Sequence, residues 1–350
     1  MENLMNAMVF RGPENYSIEK VPIPKCPEKG LLIKVKACGL CGSDLRTLRS
    51  GHKNVKPPWI LGHEVSGEVV ETGKEYNGEF KKGELLAVAP VVYCGKCEFC
   101  LSGHFELCEN IRELAQHWPG GFAEYMAIPR EALALGNVRR IPNGLNPLYA
   151  AIAEPMSSCV HAHEKANVNF TDTVLIIGAG PIGAIHTNLA KLKGAKRVLI
   201  ADILPHRLEL IKPFGPDITI NAAEVNLVEE VLKITDGKGP EVIITANPAP
   251  ITQVQAIEMA KKGGRVLFFG GLPKDNSKPG IDTNLIHYKG LYVIGITTFA
   301  PRHHITALEL LRSGKIQGEK LVTKTFPLHN FKSAVQEAIN GEVLKAVIIP

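Results

Sequence analysis

Thr173-Val174-Leu175-Ile176-Ile177-Gly178-Ala179-Gly180-Pro181-Ile182-Gly183 joins an unbroken apolar run to a Gly-x-Gly-x-x-Gly string, and the residues from Ile182 to Lys193 read as a helix. A short apolar run without alternation is a strand buried on both faces. In that setting Gly178 permits a tight turn, Gly180 lets the backbone approach a pyrophosphate, and Gly183 lets helix and strand pack closely, with Pro181 and Ile182 opening the helix. The anion belongs at the helix amino terminus, where unpaired N–H groups and the dipole favour negative charge. Asp202 closes the next strand, Arg197 to Ala201, about twenty residues beyond Gly183, where a carboxylate accepts from ribose hydroxyls. Its charge opposes a 2′-phosphate and no Arg or Lys follows it directly, so NAD is preferred to NADP. Arg207 either lines the adenine end or is a solvated helix residue.

Working outward, the strand-then-helix rhythm continues through Pro205 to Phe214, Val242 to Thr245, Ile251 to Lys262, Val266 to Phe269 and Leu291 to Ile296. The expectation is an α/β fold with a doubly wound parallel sheet of Rossmann type over residues 153–296. From Met8 to about Arg140, short runs such as Leu31–Lys36 and Val65–Val70 alternate with Gly, Pro and charged turns, which predicts a compact β domain over 1–152. Beyond Thr297 come a helix from Ile305 to Ser313, which Arg302-His303-His304 opens at the surface, and a strand Lys320–Thr323. A helix near Phe331 to Ile339 and a strand Ala346–Ile349 follow. These last strands resemble those of the first domain, so residues 297–350 are read as a return to it.

The 350 residues exceed one ordinary core, and a prior of roughly 150 residues per domain gives two. Net charge of +5, with lysines and glutamates interleaved, lends no support to nucleic-acid or membrane-surface binding. No run of about twenty apolar residues occurs, and Met1-Glu2-Asn3-Leu4-Met5 lacks the order of a secretory signal. The reading is a cytoplasmic protein whose cysteines serve metal rather than disulfides.

Cys94, Cys97, Cys100 and Cys108 are separated by two, two and seven residues within a polar, turn-prone stretch of about 90–112. Thiolates delivered from one short segment form a closed tetrahedral zinc site that clamps a loop with too few apolar residues to fold unaided, and such a site leaves no position for substrate. A zinc ribbon gripping nucleic acid uses similar spacing, but Glu98, Glu106, Glu109 and Glu113 deny it a basic face. A different ligand set, Cys, His and carboxylate, is scattered over Cys41-Gly42-Ser43-Asp44, Gly62-His63-Glu64 and Ala153-Glu154-Pro155. Those residue types with an open position suit catalytic zinc.

The strings Ala37–Asp44, Leu61–Glu64, Cys94–Cys100, Gly120–Tyr125 and Glu154-Pro155 resemble the zinc-dependent medium-chain dehydrogenases, most nearly the sorbitol (L-iditol) and polyol branch. The likeness runs down to Leu321-Val322-Thr323 and Phe326-Pro327-Leu328. It implies a GroES-like β catalytic domain built from both chain ends around the Rossmann domain, one catalytic and one structural zinc, and a homodimer or homotetramer. It implies oxidation of a secondary alcohol of a sorbitol-like polyol to a ketone with NAD as hydride acceptor, with hexitol phosphates or L-threonine as alternative substrates. By position, Cys41 and His63 match zinc ligands, Glu64 a carboxylate that ligates directly in sorbitol enzymes, and Glu154 a residue that either ligates or holds water and substrate. Asp44 resembles the carboxylate that orients the ligand histidine, and Ser43 the hydroxyl that relays the substrate proton. Phe269, Gly270, Ile296, Thr297 and Thr298 fall at cofactor positions, Thr298 standing where sorbitol enzymes place an Arg on substrate. Arg46 departs from the family, where many members carry His. A guanidinium stays protonated, so the relay runs from Ser43 through ribose hydroxyls or water, or Arg46 contacts a phosphate. His117-Trp118 is read as either pocket wall or simple packing.

Overall fold

Buried apolar strands and the glycine turns between them divide the chain into two units, residues 1–157 with 298–350 and residues 158–297. A computed structural model describes residues 3–135 and 137–350; Met1 and Glu2, on which the amino-terminal reading began, and Gly136 lie outside the described residues. The unit boundaries fall after Ser157 and Thr297 rather than at 152 and 296, because the helix Ala153–Ala166 carries the chain from one unit into the other without a break.

The middle unit holds a six-stranded parallel sheet. Its strands are β1 (Thr173–Ile177), β2 (Arg197–Asp202), β3 (Ile218–Asn221), β4 (Val242–Thr245), β5 (Arg265–Phe268) and β6 (Tyr292–Gly295), in the order β3-β2-β1-β4-β5-β6. The order reverses beside β1, which puts the Gly178–Gly183 loop at the switch point where such sheets bind dinucleotides. Every residue of β1 is buried, and Leu175, Ile177, Leu199 and Ile243 share one core with Val231 and Ile257 from the flanking helices. Each such side chain contributes about 1.5–3 kcal/mol on burial. β3 and the helix Leu227–Ile234 are absent from the sequence reading, although the latter carries a legible signal. The Asn226 side chain accepts from the Val228 and Glu229 amides, and Leu227 and Val231, spaced for one helix face, are both buried.

The outer unit is organised by a seven-stranded sheet. Val322–Pro327, Lys345–Ile349, Leu31–Gly39, Glu64–Thr72, Leu85–Val88 and Val138–Arg140 follow one another in space, and Tyr125–Ile128 also pairs with Leu31–Gly39. Both carboxy-terminal strands therefore complete the sheet begun by the amino-terminal half. Lys320 and Leu321, read as strand, instead close the helical turn Gly318–Leu321, and pairing with Lys345 begins only at Val322. His303 and His304 are also displaced from expectation: the helix Pro301–Arg312 turns both inward, each about 1% exposed, so of Arg302-His303-His304 only Arg302 opens the helix at the surface.

Candidate active site and metal centres

In the middle unit the fingerprint glycines do three different things. Gly178 has φ +119°, a Cβ on Gly183 would overlap the Gly178 carbonyl oxygen, and nothing lies within 4 Å of a Cβ built on Gly180. The first two are requirements of the turn and of helix packing; the open face at Gly180 is where a pyrophosphate can meet bare backbone. Pro181 occupies the first turn of the helix Pro181–Leu192, where its missing N–H costs nothing. Asp202 is buried and braces the loop, accepting from the Ala179 amide at 2.7 Å through Oδ2 and from the Leu204 amide at 2.9 Å through Oδ1. Phe269 packs edge-on against the buried His186, ring centroids 4.8 Å apart, and Gly270 leaves room for the Asn247 carbonyl.

In the outer unit the four sulfurs of Cys94, Cys97, Cys100 and Cys108 lie within 4.8 Å of one another, and none is in a disulfide. Backbone amides point at them: the Cys94 N–H donates to Cys108 Sγ at 3.3 Å, and amides of Lys96 and Cys97 hold the Cys94 thiol down to about 6. Amides of Cys100 and Glu109 lower Cys97 in the same way, whereas burial pushes Cys100 up to about 12. Soft donors converging without disulfides, with main-chain dipoles already favouring thiolate, fit a structural zinc.

The second cluster is assembled from a helix and two strands. Cys41 caps the helix Gly42–Ser50, and His63 immediately precedes the strand that Glu64 opens. One ligand atom from each of Cys41, His63 and Glu64 lies within 4.8 Å of the others. Asp44 ties the helix to the histidine: Oδ2 accepts from the Cys41 amide at 3.0 Å and Oδ1 lies 3.3 Å from His63 Nδ1, leaving Nε2 for another partner. Burial alone lowers the His63 pKa, but the Asp44 charge, with hydrogen bonds from Asp44 and Cys41, overcomes it and holds the ring well above its usual value. Ser43 Oγ is 3.5 Å from His63 Nε2. Glu64 is fully buried, its Oε1 bound to Lys345 at 2.5 Å and its Oε2 without a hydrogen-bond partner. An orphaned carboxylate oxygen beside a thiol and an imidazole nitrogen fits a divalent ion.

Residues 27–137 match the family model described as alcohol dehydrogenase GroES-like domain, and residues 181–313 match the one described as zinc-binding dehydrogenase. Sorbitol dehydrogenase of Bacillus subtilis (strain 168) is 32% identical, with 99% of this chain and 97% of the relative covered. The chain belongs to the zinc-dependent medium-chain dehydrogenases. L-threonine 3-dehydrogenase of Pyrococcus abyssi, another relative of this oxidoreductase, is 34% identical over 93% of this chain and 92% of its own. Among solved structures, a zinc-binding dehydrogenase from Sinorhizobium meliloti 1021 bound to NADP superposes with a TM-score of 0.90 at 30% identity, covering 100% of both chains.

Not every residue marked in the sequence joins this dehydrogenase site. Glu154, in the first turn of the helix Ala153–Ala166, lies beyond the 4.8 Å within which Cys41, His63 and Glu64 converge, but the charges of His63 and Glu64 act on its carboxyl, which burial pushes up to about 8. The Thr298 hydroxyl donates to the Glu106 carbonyl of the four-cysteine loop at 3.3 Å, with φ +43°, while Ile296 and the exposed Thr297 end the middle unit. His117 and Trp118 are absent from the lining of the cavity of ≈ 170 Å³ beside His63. Trp118 packs under the Arg112 guanidinium at 4.5 Å instead. That cavity is lined by Ser43, Arg46, His52, His63, Glu113 and Gln116 among others. His52, Glu113, Gln116 and Lys345 escaped the sequence reading. Lys345 meets Glu64 across 281 residues and Gln116 accepts from Asn54 across 62, while His52 and Glu113 bond to neighbours within four residues in a pattern that marks no metal or catalytic motif.

Proposed function

We propose that this dehydrogenase oxidises a secondary alcohol of a sorbitol-like or related polyol to the ketone, with NAD as hydride acceptor. The observation that carries the reading is the convergence of Cys41, His63 and Glu64 beside a cavity into which Ser43, Arg46, His52, Glu113 and Gln116 bring polar groups. Zinc bound there would supply Lewis acidity toward the alcohol oxygen, while the Cys94–Cys108 set would hold a second, structural zinc. Asp44 keeps His63 in the tautomer and orientation a ligand needs. Ser43 takes the alcohol proton and passes it to water or ribose hydroxyls, since Arg46 stays charged and ends any relay through its own side chain. Glu154, a buried carboxyl on which the charges of His63 and Glu64 act, either ligates the ion or holds water and substrate.

Asp202 at the end of β2, followed by the exposed Ile203, supports NAD over NADP, and Arg207, Phe269, Gly270, Ile296, Thr297 and Thr298 are assigned to the cofactor's surroundings. No disulfide joins any of the eight cysteines, which supports a cytoplasmic location, and no helix of the described residues is long and apolar enough to cross a membrane. The edge strand β6 exposes Tyr292 at 66% and Val293 at 39%, next to Tyr288 at 76%, which supports a homodimer or homotetramer joined along that edge.

One observation favours a second substrate class. Arg46 lines the cavity and makes no ion pair among the described residues, so a hydroxy compound carrying a carboxylate or phosphate, such as threonine or a hexitol phosphate, would find a counter-charge. Polyols, polyol phosphates and threonine assayed with NAD and NADP, before and after Arg46→Ala, decide the matter. Under the polyol reading neutral substrates are turned over with NAD and survive the substitution. Under the second, anionic substrates lose roughly 10–100-fold in kcat/KM with Arg46→Ala.

A further inference from the structure

Lys345 forms the ion pair that the described residues offer Glu64, and it does so from a strand 281 residues away. Three neighbouring strands bring them together: Lys345–Ile349 pairs with Leu31–Gly39, which pairs with Glu64–Thr72, and Gly39 stands directly opposite Glu64. Gly39 is the gap across which the two meet. A Cβ there would overlap Glu64 Oε2 and crowd Lys345 Cε, so only glycine leaves room for ammonium and carboxylate on either side. Lys345 Nζ donates to Glu64 Oε1 at 2.5 Å and to the Leu40 carbonyl at 3.0 Å; its side chain is 5% exposed and that of Glu64 0%.

This bridge divides the carboxylate. Oε1 is neutralised by the ammonium and tied through it to the Leu40 main chain, while Oε2, buried and without a donor, is the only oxygen left for an ion. A carboxylate sharing its charge with an ammonium is a weaker donor than a free one, and with one oxygen engaged it cannot chelate through both. We propose that Lys345 is a positioning residue of the metal site, holding Glu64 as a single-oxygen ligand that can be displaced, so the ion keeps a position for substrate. The inference rests on the reading of Cys41, His63 and Glu64 as the catalytic metal site. Without Lys345, Glu64 would be an uncompensated buried anion and would close on the ion.

The test uses the whole enzyme with cobalt(II) replacing zinc, whose ligand-field spectrum separates a one-thiolate site from the four-thiolate loop. Release of the one-thiolate ion to a chelator is followed in wild type, Lys345→Arg, Lys345→Met and Lys345→Met/Glu64→Gln. Lys345→Met should release the ion more slowly, on the order of tenfold or beyond, with an altered spectrum and a kcat that falls while the NAD KM stays. Lys345→Arg should keep wild-type exchange, and the double variant should release no more slowly than wild type. If Lys345→Met does not fold, Lys345→Gln, a neutral donor to Glu64, takes its place with the same expected slowing. Release at the wild-type rate or faster from the uncharged variant, or release from the double variant as slow as from the single, would overturn the proposal even if melting temperature dropped. A wild-type chain that binds no ion outside the four-cysteine loop would instead overturn the reading of the site itself, and this inference with it.

Discussion

Cys94, Cys97, Cys100 and Cys108 reach their common point from a single loop, oriented by their own main chain, whereas Cys41, His63 and Glu64 are brought together by a sheet. In the loop, amides of Gly95, Lys96, Cys97 and Asn110 address the sulfurs, so the sequence that supplies the ligands also supplies their surroundings. In the sheet site the supporting groups come from elsewhere: Asp44 from a helix, Lys345 from the far end of the chain, and the Gly39 gap from the strand between. A closed site can be local because it has only to hold its ion. An open site has to hold an ion and leave a coordination position free, which takes groups that touch the ligands rather than the metal.

That contrast can be broken most sharply at Cys41. Cys41→Ala removes a ligand of the open site only, and turnover should fall by several kcal/mol of transition-state stabilisation, roughly 10³-fold. NAD affinity measured by titration and the melting temperature should both stay close to wild type. A variant that melts early or loses NAD would show that the two regions are not separable.

A smaller effect is expected at Asp44, which braces the open site without belonging to the ligand set. Asp44→Asn keeps the shape but loses the charge beside His63, and catalytic-zinc affinity should drop on the order of 10–100-fold. Metal analysis after dialysis should show depletion of one zinc per chain while the four-cysteine ion is retained; equal loss from both would contradict the assignment.

The smallest effect on chemistry is expected from Cys97→Ser. The loop should lose its ion and about 2 kcal/mol or more of stability, a fall in melting temperature of roughly 4 °C or more, with residual turnover. Because Thr298 and Phe299 lean on this loop through Glu106 and Tyr93, some loss of rate is allowed, but not abolition. A fully inactive variant with an unchanged melting curve would assign the loop a chemical role that its geometry gives no reason to expect.

Much of the dinucleotide unit was legible from residues because its signals are local. Gly178, Gly180 and Gly183 sit in one turn, and the uninterrupted apolar run of β1 announces a strand buried on both faces. The helix Leu227–Ile234 was equally legible from Asn226 and its apolar spacing, yet β3, a short edge strand of mixed character, offered little to read. In the outer unit, His303 and His304 look like a charged surface string and are buried instead, because the helix that carries them turns that face inward. Trp118 had the size and position for a pocket wall, but Arg112 covers it, and Glu113 and Gln116 line the cavity.

By itself the sequence determined the dinucleotide fingerprint, the four-cysteine loop and the identities of Cys41, His63 and Glu64, since each is written within one turn, one loop or one short string. Only the tertiary structure decided that Thr298 leans on the cysteine loop and that Lys345 crosses Gly39 to share the Glu64 carboxylate. The reason is physical. Sheet register sets which distant residues face one another, and register comes from the packing of whole strands rather than from the residues that happen to meet.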